Sequence, residues 1–205
     1  MRVLGLDEAG RGSVLGPLVV GAFLWDAEDQ APLRQAGADD SKVLTHAKRV
    51  AIRAALEGMG EGATRAIAAT EIDDANLNRL EERAFVALAR HFRPDRVYLD
   101  APVHPGGIPR LRARLVAESG VADWVVEPKA DATWPVVGAA SIFAKVERDA
   151  AIAAIGEPIG SGYPSDPVTR AWLVARLAED RPLPAFVRTR WGTIEVLRQR
   201  PLFGG

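Results

Sequence analysis

The sequence predicts a mixed α/β fold: a five-stranded sheet flanked by helices, followed by a small helical C-terminal part. Three observations carry this. Two apolar, strand-like runs come first, joined by a short Gly-rich link. Helix-like and strand-like segments then alternate to about residue 155, and only helical patterns follow. The chain has 205 residues, 48% of them hydrophobic, enough for one sizeable core. The expected organisation is an α/β core over residues 1–155 and a helical region over 156–205 that joins it in one compact unit.

Residues 2–6 (RVLGL) read as the first strand, and 15–25 (LGPLVVGAFLW) as the second, paired as a hairpin. Thr45 is suited to cap a helix over 45–57, with Val50, Ile52 and Leu56 at helical spacing. An Ala-rich third strand is expected over 64–70. A long helix is expected over 72–91, closed by Arg93-Pro94. Residues 96–100 (RVYLD) form a strand ending in aspartate, 109–117 a helix and 124–127 another strand. A long apolar helix then runs over 135–154, with proline in its first turn. After the loop GSGYPSDP (160–167), Asp166 caps a helix over 167–179 with Pro167 at its first position. A final amphipathic stretch covers 191–200.

Composition excludes several chemistries. There is no cysteine, so disulfides and thiolate metal sites are impossible. The three histidines, His46, His91 and His104, are too scattered for a zinc site, so any metal is expected to be a hard cation held by carboxylates. A formal net charge of −1 does not announce a nucleic-acid binder, although a local basic face is what such binding needs. No signal peptide or membrane span is evident, so cytoplasmic residence is the default expectation; a monomer is expected as well.

The acids fall in a pattern. Asp7 and Glu8 close the first expected strand, Asp100 closes the strand 96–100, and Asp131 follows the strand 124–127. Sites in open α/β sheets gather at the carboxyl ends of strands. Four carboxylates at one edge would repel one another and call for a cation, Mg²⁺ or Mn²⁺ given the absence of softer ligands. Two such ions, about 3.5–4 Å apart, would clamp the attacking and leaving oxygens of a phosphodiester. A lone aspartate after a strand is ordinarily a cap or turn former, and that reading suits Asp100 or Asp131 taken singly. Adjacent Asp7 and Glu8 raise a geometric question. Neighbouring strand residues point to opposite faces, so the strand is expected to end or twist sharply at Asp7.

Six segments in order resemble the ribonuclease HII family: DEAGRG at 7–12, DSK at 40–42, YLDAP around Asp100, KAD at 129–131, AASIFAKVERD at 139–149 and GSGYPSDP at 160–167. The resemblance implies an RNase H-like fold. It implies cleavage of the RNA strand of RNA–DNA hybrids and incision 5′ to single ribonucleotides in duplex DNA. Products would carry 3′-hydroxyl and 5′-phosphate ends. It also implies that Asp7, Glu8, Asp100 and Asp131 bind two ions, Mg²⁺ or Mn²⁺. Gly10, Arg11 and Gly12 with Tyr163 would sense the 2′-hydroxyl at the junction, and Lys42, Ser141 and Lys145 would contact substrate. Chemistry agrees in part: the 2′-hydroxyl distinguishes RNA from DNA, and glycine lets a backbone approach a sugar. Ser13, Ala101-Pro102 and Ala130 depart from the family's commonest residues, which bears on loop detail. The family relative with an added N-terminal substrate-binding domain is disfavoured, since the chain opens at the first catalytic strand and carries the tyrosine loop.

Two alternatives stand beside this: a hybrid-binding module of the same fold without catalysis, and a phosphohydrolase acting on small esters. Arg148 and Asp149 read as structural ion-pair partners. From Gly160 onward seven arginines stand against four acids, compatible with gripping a duplex backbone or with a mixed solvated surface. Finally, Gln199, Leu202 and Phe203 form a Q-x-x-L-F pattern that resembles the peptide with which replication proteins bind a sliding clamp. Folding of the two apolar residues back onto the core is the competing reading.

Overall fold

The computed structural model describes residues 1–38, 44–179 and 181–199. Lys42, with the rest of the DSK segment, and Leu202 and Phe203 lie outside the described residues. Five strands form one sheet in the order β3-β2-β1-β4-β5. They are β1 (Val3–Ala9), β2 (Leu18–Trp25), β3 (Glu61–Ile67), β4 (Arg96–Asp100) and β5 (Asp123–Glu127). β1–β2 and β2–β3 pair antiparallel, whereas β1–β4 and β4–β5 pair parallel.

Helices cover both faces. They are α1 (Ala31–Gln35), α2 (His46–Glu57), α3 (Ala69–Asp74), α4 (Leu77–Phe92), α5 (Ile108–Ser119), α6 (Ala130–Thr133), α7 (Pro135–Ala153), α8 (Pro167–Ala178) and α9 (Gly192–Gln199). On one face Leu4, Leu6, Val20 and Ala22 meet Phe85 and Leu88 of α4 and Leu111 and Leu115 of α5. On the other, Val3, Phe23 and Tyr98 meet the apolar side of α7, from Val136 to Phe143. A third cluster gathers Ile159, Leu173, Val187 and Ile194 of the C-terminal part around Val14 and Leu15, in the link between β1 and β2. Among the described residues no helix is long and apolar enough to cross a membrane.

Several boundaries differ from expectation. β1 does not end at Leu6: pairing with β2 carries it to Ala9, with Asp7 opposite Gly21 and Glu8 opposite Val20. β2 starts at Leu18, because Leu15 instead bridges Val187. β3 lies three residues earlier than expected, since Ala68 turns out of the sheet to start α3. The single helix expected over 72–91 is two. Ala75 is extended, and the Asn76 side chain caps a new helix by accepting from Arg79 N at 3.2 Å. In α2 only Leu56 is buried, while Val50 is 43% exposed.

α7 lies unusually close to β1 and β2. A Cβ on Gly5 would sit 2.0 Å from the Val136 carbonyl oxygen, and one on Gly21 would sit 2.1 Å from that of Ala140. Only glycine permits this approach. Gly21→Ala is therefore expected to lower stability by about 2–3 kcal/mol through overpacking, read as a lower urea midpoint with an unchanged slope. An unchanged midpoint would show that α7 can move away at little cost.

Candidate active site

β1 and β4 pair from Val3↔Arg96 to Leu6↔Leu99 and no further. The next positions along the two strands are Asp7 and Asp100, so both carboxylates stand where the parallel ladder stops. β1 continues alongside β2, which keeps Asp7 and Glu8 in regular strand geometry, and the two side chains leave on opposite faces. Asp7 shares the α7 face with Gly5 and accepts a hydrogen bond from buried Ser141. Glu8 shares the α4 face with Leu4 and Leu6, where Glu81 acts on it. The site wraps around the end of the sheet rather than lying on one face. This answers the geometric question differently from the expected sharp end at Asp7.

Asp131 arrives by another route. Asp100 Oδ1 accepts from the Ala130 backbone N–H at 3.1 Å, which fixes the start of the one-turn helix α6. Asp131, the next residue, is buried. Asp100 therefore ties the turn carrying Asp131 to the strand end beside Asp7.

Electrostatics at the site are unfavourable for carboxylates without a cation. Burial pushes the Asp7 carboxyl up to about 7; the Ser141 hydrogen bond opposes this, the Asp100 charge adds to it, and Lys145 opposes it again. Burial likewise holds Glu8 well above the usual carboxylate range, with Asp7, Glu81 and Asp100 adding to the effect. Oε2 of Glu8 is buried with no hydrogen-bond partner among the described residues. Crowded acids and an orphaned oxygen fit a hard divalent cation, whose preferred ligands are carboxylate oxygens. Among the described residues no three Asp, Glu or His side chains form a group that could hold a metal ion, so these acids would have to draw closer around one.

A groove of about 330 Å³ opens beside Glu8 and is lined also by Gly10, Arg11, Gly12, Lys145, Arg148 and Tyr163. The Tyr163 hydroxyl accepts from the Gly10 N–H at 3.1 Å, so the loop after β1 and the tyrosine loop meet although 153 residues separate them. Gly10 has φ +86°, and a Cβ there would collide with Arg148 Nε at 2.3 Å. A Cβ on Gly12 would meet nothing within 4 Å, so that side of the loop faces open space.

Arg11 is in the loop and lines the groove, and its guanidinium is tied back to α4. Its Nε lies 3.2 Å from both carboxylate oxygens of Glu81, and its Nη2 donates to Asn78. Glu81 is a site residue the sequence reading passed over. It stands on the apolar face of α4, four residues from Leu77 and from Phe85, and an acid at such a position is the signal that could have found it.

Arg188 is the second. Counted by sequence among the surface arginines, it is fully buried and donates to the carbonyls of Gly10 (2.7 Å), Arg11 (3.0 Å) and Gly16 (3.1 Å). Burial draws its pKa down to about 10, with nearby Arg148 adding to the effect. It still carries a proton at neutral pH, and it clasps the loop from beneath instead of gripping a duplex. Asp149 is an ion-pair partner as expected, though not of Arg148. Asp149 bonds His46 (3.1 Å) and Arg49 (3.0 Å). Arg148 donates to the Ser161 carbonyl at 2.8 Å, and its guanidinium carbon stands 4.6 Å from the centre of the Tyr163 ring.

Comparison with known proteins gives a consistent result. Residues 4–194 match the family described as Ribonuclease HII. The chain is similar to ribonuclease HII of Methanobrevibacter smithii, 38% identical over 209 residues, covering 97% of this chain and 99% of the relative. Among solved structures it resembles ribonuclease H2 from Pyrococcus horikoshii at TM-score 0.88 and 36% identity, covering 98% of each chain. It also resembles the ribonuclease HII in a complex with PCNA from Archaeoglobus fulgidus, at TM-score 0.87 and 35% identity, again covering 98% of each chain.

The raised Asp7 pKa has a stability consequence in the absence of divalent cations. Between its ordinary value of 3.8 and about 7, the folded chain holds this proton more tightly than the unfolded chain does. Stability should therefore fall as pH rises through that window. Asp7→Asn is expected to flatten the fall and to raise the metal-free melting temperature at neutral pH by on the order of a few degrees. Thermal unfolding across the pH range checks this; a lower melting temperature in the variant would contradict it.

Proposed function

The chain belongs to the ribonuclease HII family of metal-dependent endoribonucleases, which cleave RNA in RNA–DNA hybrids and excise ribonucleotides, and from that premise we propose how its residues divide the work. The observation that carries the proposal is the placement of Asp7 beside Asp100 where the β1–β4 ladder stops. Asp7, Glu8, Asp100 and Asp131 would hold two divalent ions, Mg²⁺ or Mn²⁺. When bound, the ions supply activation of a water nucleophile and neutralisation of charge on the departing 3′-oxygen.

The chain's own groups do the rest. Ser141 and Lys145, one turn apart on α7, orient the Asp7 carboxylate and offset its charge. Lys145 also lines the groove, where it can meet a substrate phosphate. The Gly10–Gly12 backbone faces the ribose and reads its 2′-hydroxyl, with Tyr163 packed on the adjoining sugar or base. Arg188 and Arg148 keep that loop and the Tyr163 ring in register before substrate arrives, which limits the ordering cost of binding. Lys42, outside the described residues, is proposed as a further phosphate contact. The C-terminal part joins the core as one working unit through the Val14 and Leu15 cluster.

The relative from Archaeoglobus fulgidus was solved with PCNA. We propose that this chain also binds a sliding clamp, through Gln199 at the end of α9 and Leu202 and Phe203 beyond it. Two apolar anchors on a terminal peptide suit a groove on such a partner. Deleting residues 199–205 should abolish clamp binding in a pull-down with purified clamp while leaving cleavage intact; undiminished binding would eliminate this route.

Asp7→Asn is expected to lower cleavage of a duplex containing one ribonucleotide by roughly three orders of magnitude or more. Full activity in this variant, or activity in the presence of EDTA, would refute the assignment. Tyr163→Ala should impair the single-ribonucleotide substrate about tenfold more than an all-RNA hybrid. Equal effects on both would remove the tyrosine from junction recognition.

A further inference from the structure

Glu81 is a buried titratable group that the proposed chemistry leaves unused. Its side chain is 1% exposed, and its charge acts on both Asp7 and Glu8. A third buried carboxylate beside two others is a poor choice for stability alone, because a well-packed hydrophobe of similar size avoids both desolvation and repulsion. What Glu81 secures is Arg11. The guanidinium Nε stands 3.2 Å from each carboxylate oxygen, and Asn78, one turn earlier on α4, accepts from Nη2. The central residue of the Gly10–Gly12 loop is thereby fastened to α4. On one side of it, Gly10 is held by the Tyr163 hydroxyl; on the other, Gly12 faces open space. Arg188 takes the Gly10 and Arg11 carbonyls from below.

We propose that Glu81 is a positioning residue for ribonucleotide recognition: by fixing Arg11 to α4, it sets where the Gly10–Gly12 backbone stands relative to Asp7 and Glu8. The reading distance between a ribose 2′-hydroxyl and the cleaved phosphate then depends on the Arg11–Glu81 tie. On this view Arg11 is a strut, not a phosphate grip, since gripping a phosphate would require giving up its buried partner. Arginine suits this task better than lysine because one planar fork reaches Glu81 and Asn78 together. The inference rests on the reading of the Gly10–Gly12 loop given above.

The test compares cleavage of a duplex carrying one ribonucleotide with cleavage of an all-RNA hybrid, at saturating Mg²⁺ or Mn²⁺. Glu81→Gln and Arg11→Ala should each lower the ratio of the two kcat/KM values by about tenfold. The double variant should lower it no further, because both changes cut the same tie. Arg11→Lys should fall between wild type and Arg11→Ala. A ratio unchanged in either folded variant, including equal loss on both substrates, overturns the proposal, and so do additive effects in the double variant. Thermal unfolding establishes that each variant folds. If Glu81→Gln does not fold, Arg11→Ala and Asn78→Ala decide the matter by the same ratio. Failure of the wider reading shows separately, as cleavage that persists in Asp7→Asn.

Discussion

The approach of α7 to the hairpin of β1 and β2 governs the rest of this molecule. The Val136 and Ala140 carbonyls occupy the space that side chains on Gly5 and Gly21 would fill. That contact fixes both the height and the rotation of α7, because a helix pressed onto bare backbone has little room to slide or roll. Everything α7 carries beyond it is then placed. Ser141 and Lys145 reach Asp7, which lies two residues along β1 from Gly5 and opposite Gly21. Further on, Arg148 reaches the Tyr163 ring and the Ser161 carbonyl. A larger residue at either glycine would lift the helix and withdraw three side chains from the site at once.

Around that contact the chain concentrates charge where burial is least favourable to it. Asp7, Glu8 and Glu81 are all pushed toward their neutral forms, chiefly by burial. Buried arginines stand close by, and their guanidinium groups bond backbone carbonyls rather than acids in the case of Arg188 and Arg148. The division is physically sensible. Cations paired directly with the buried acids would lower their affinity for a metal, whereas cations on loop carbonyls rigidify the loop and leave the acids available. Sites of this kind are costly to the fold and are held in place by the surrounding structure.

Local signals were legible wherever one residue type decides local geometry. Thr45 caps α2, accepting from Lys48 N, and Asp166 with Pro167 opens α8 as read. The strands at Arg96–Asp100 and Asp123–Glu127 and the long helix from Pro135 were readable from apolar runs and punctuation. Failures came where a distant partner decided. β1 extends to Ala9 because β2 keeps pairing with it, a fact absent from residues 2–6. Leu15 looks like strand and instead meets Val187. The break between α3 and α4 was legible in principle, since Asn76 is a good cap, but the apolar periodicity runs straight across it. Arg188 looks like an ordinary surface charge in sequence, and only packing reveals it as buried, whereas Glu81 falls four residues from Leu77 and Phe85 on the apolar face of α4, a signal legible in principle.

By itself the sequence determined the layered α/β class, the carboxylate chemistry that the absence of cysteine leaves open, and the family to which six ordered motifs point. These are matters of residue type and local spacing, which the chain writes directly. Tertiary structure alone decided which face each acid takes. Asp7 and Glu8 diverge across the sheet, and it is the end of the β1–β4 ladder at Leu99 that brings Asp100 alongside them. It also decided that Gly10 and Tyr163 touch and that Arg11 turns back to Glu81. Contacts spanning 70 to 153 residues are set by register and close packing. No local pattern encodes such a contact, because the energy that selects it comes into being only when the sheet and helices assemble.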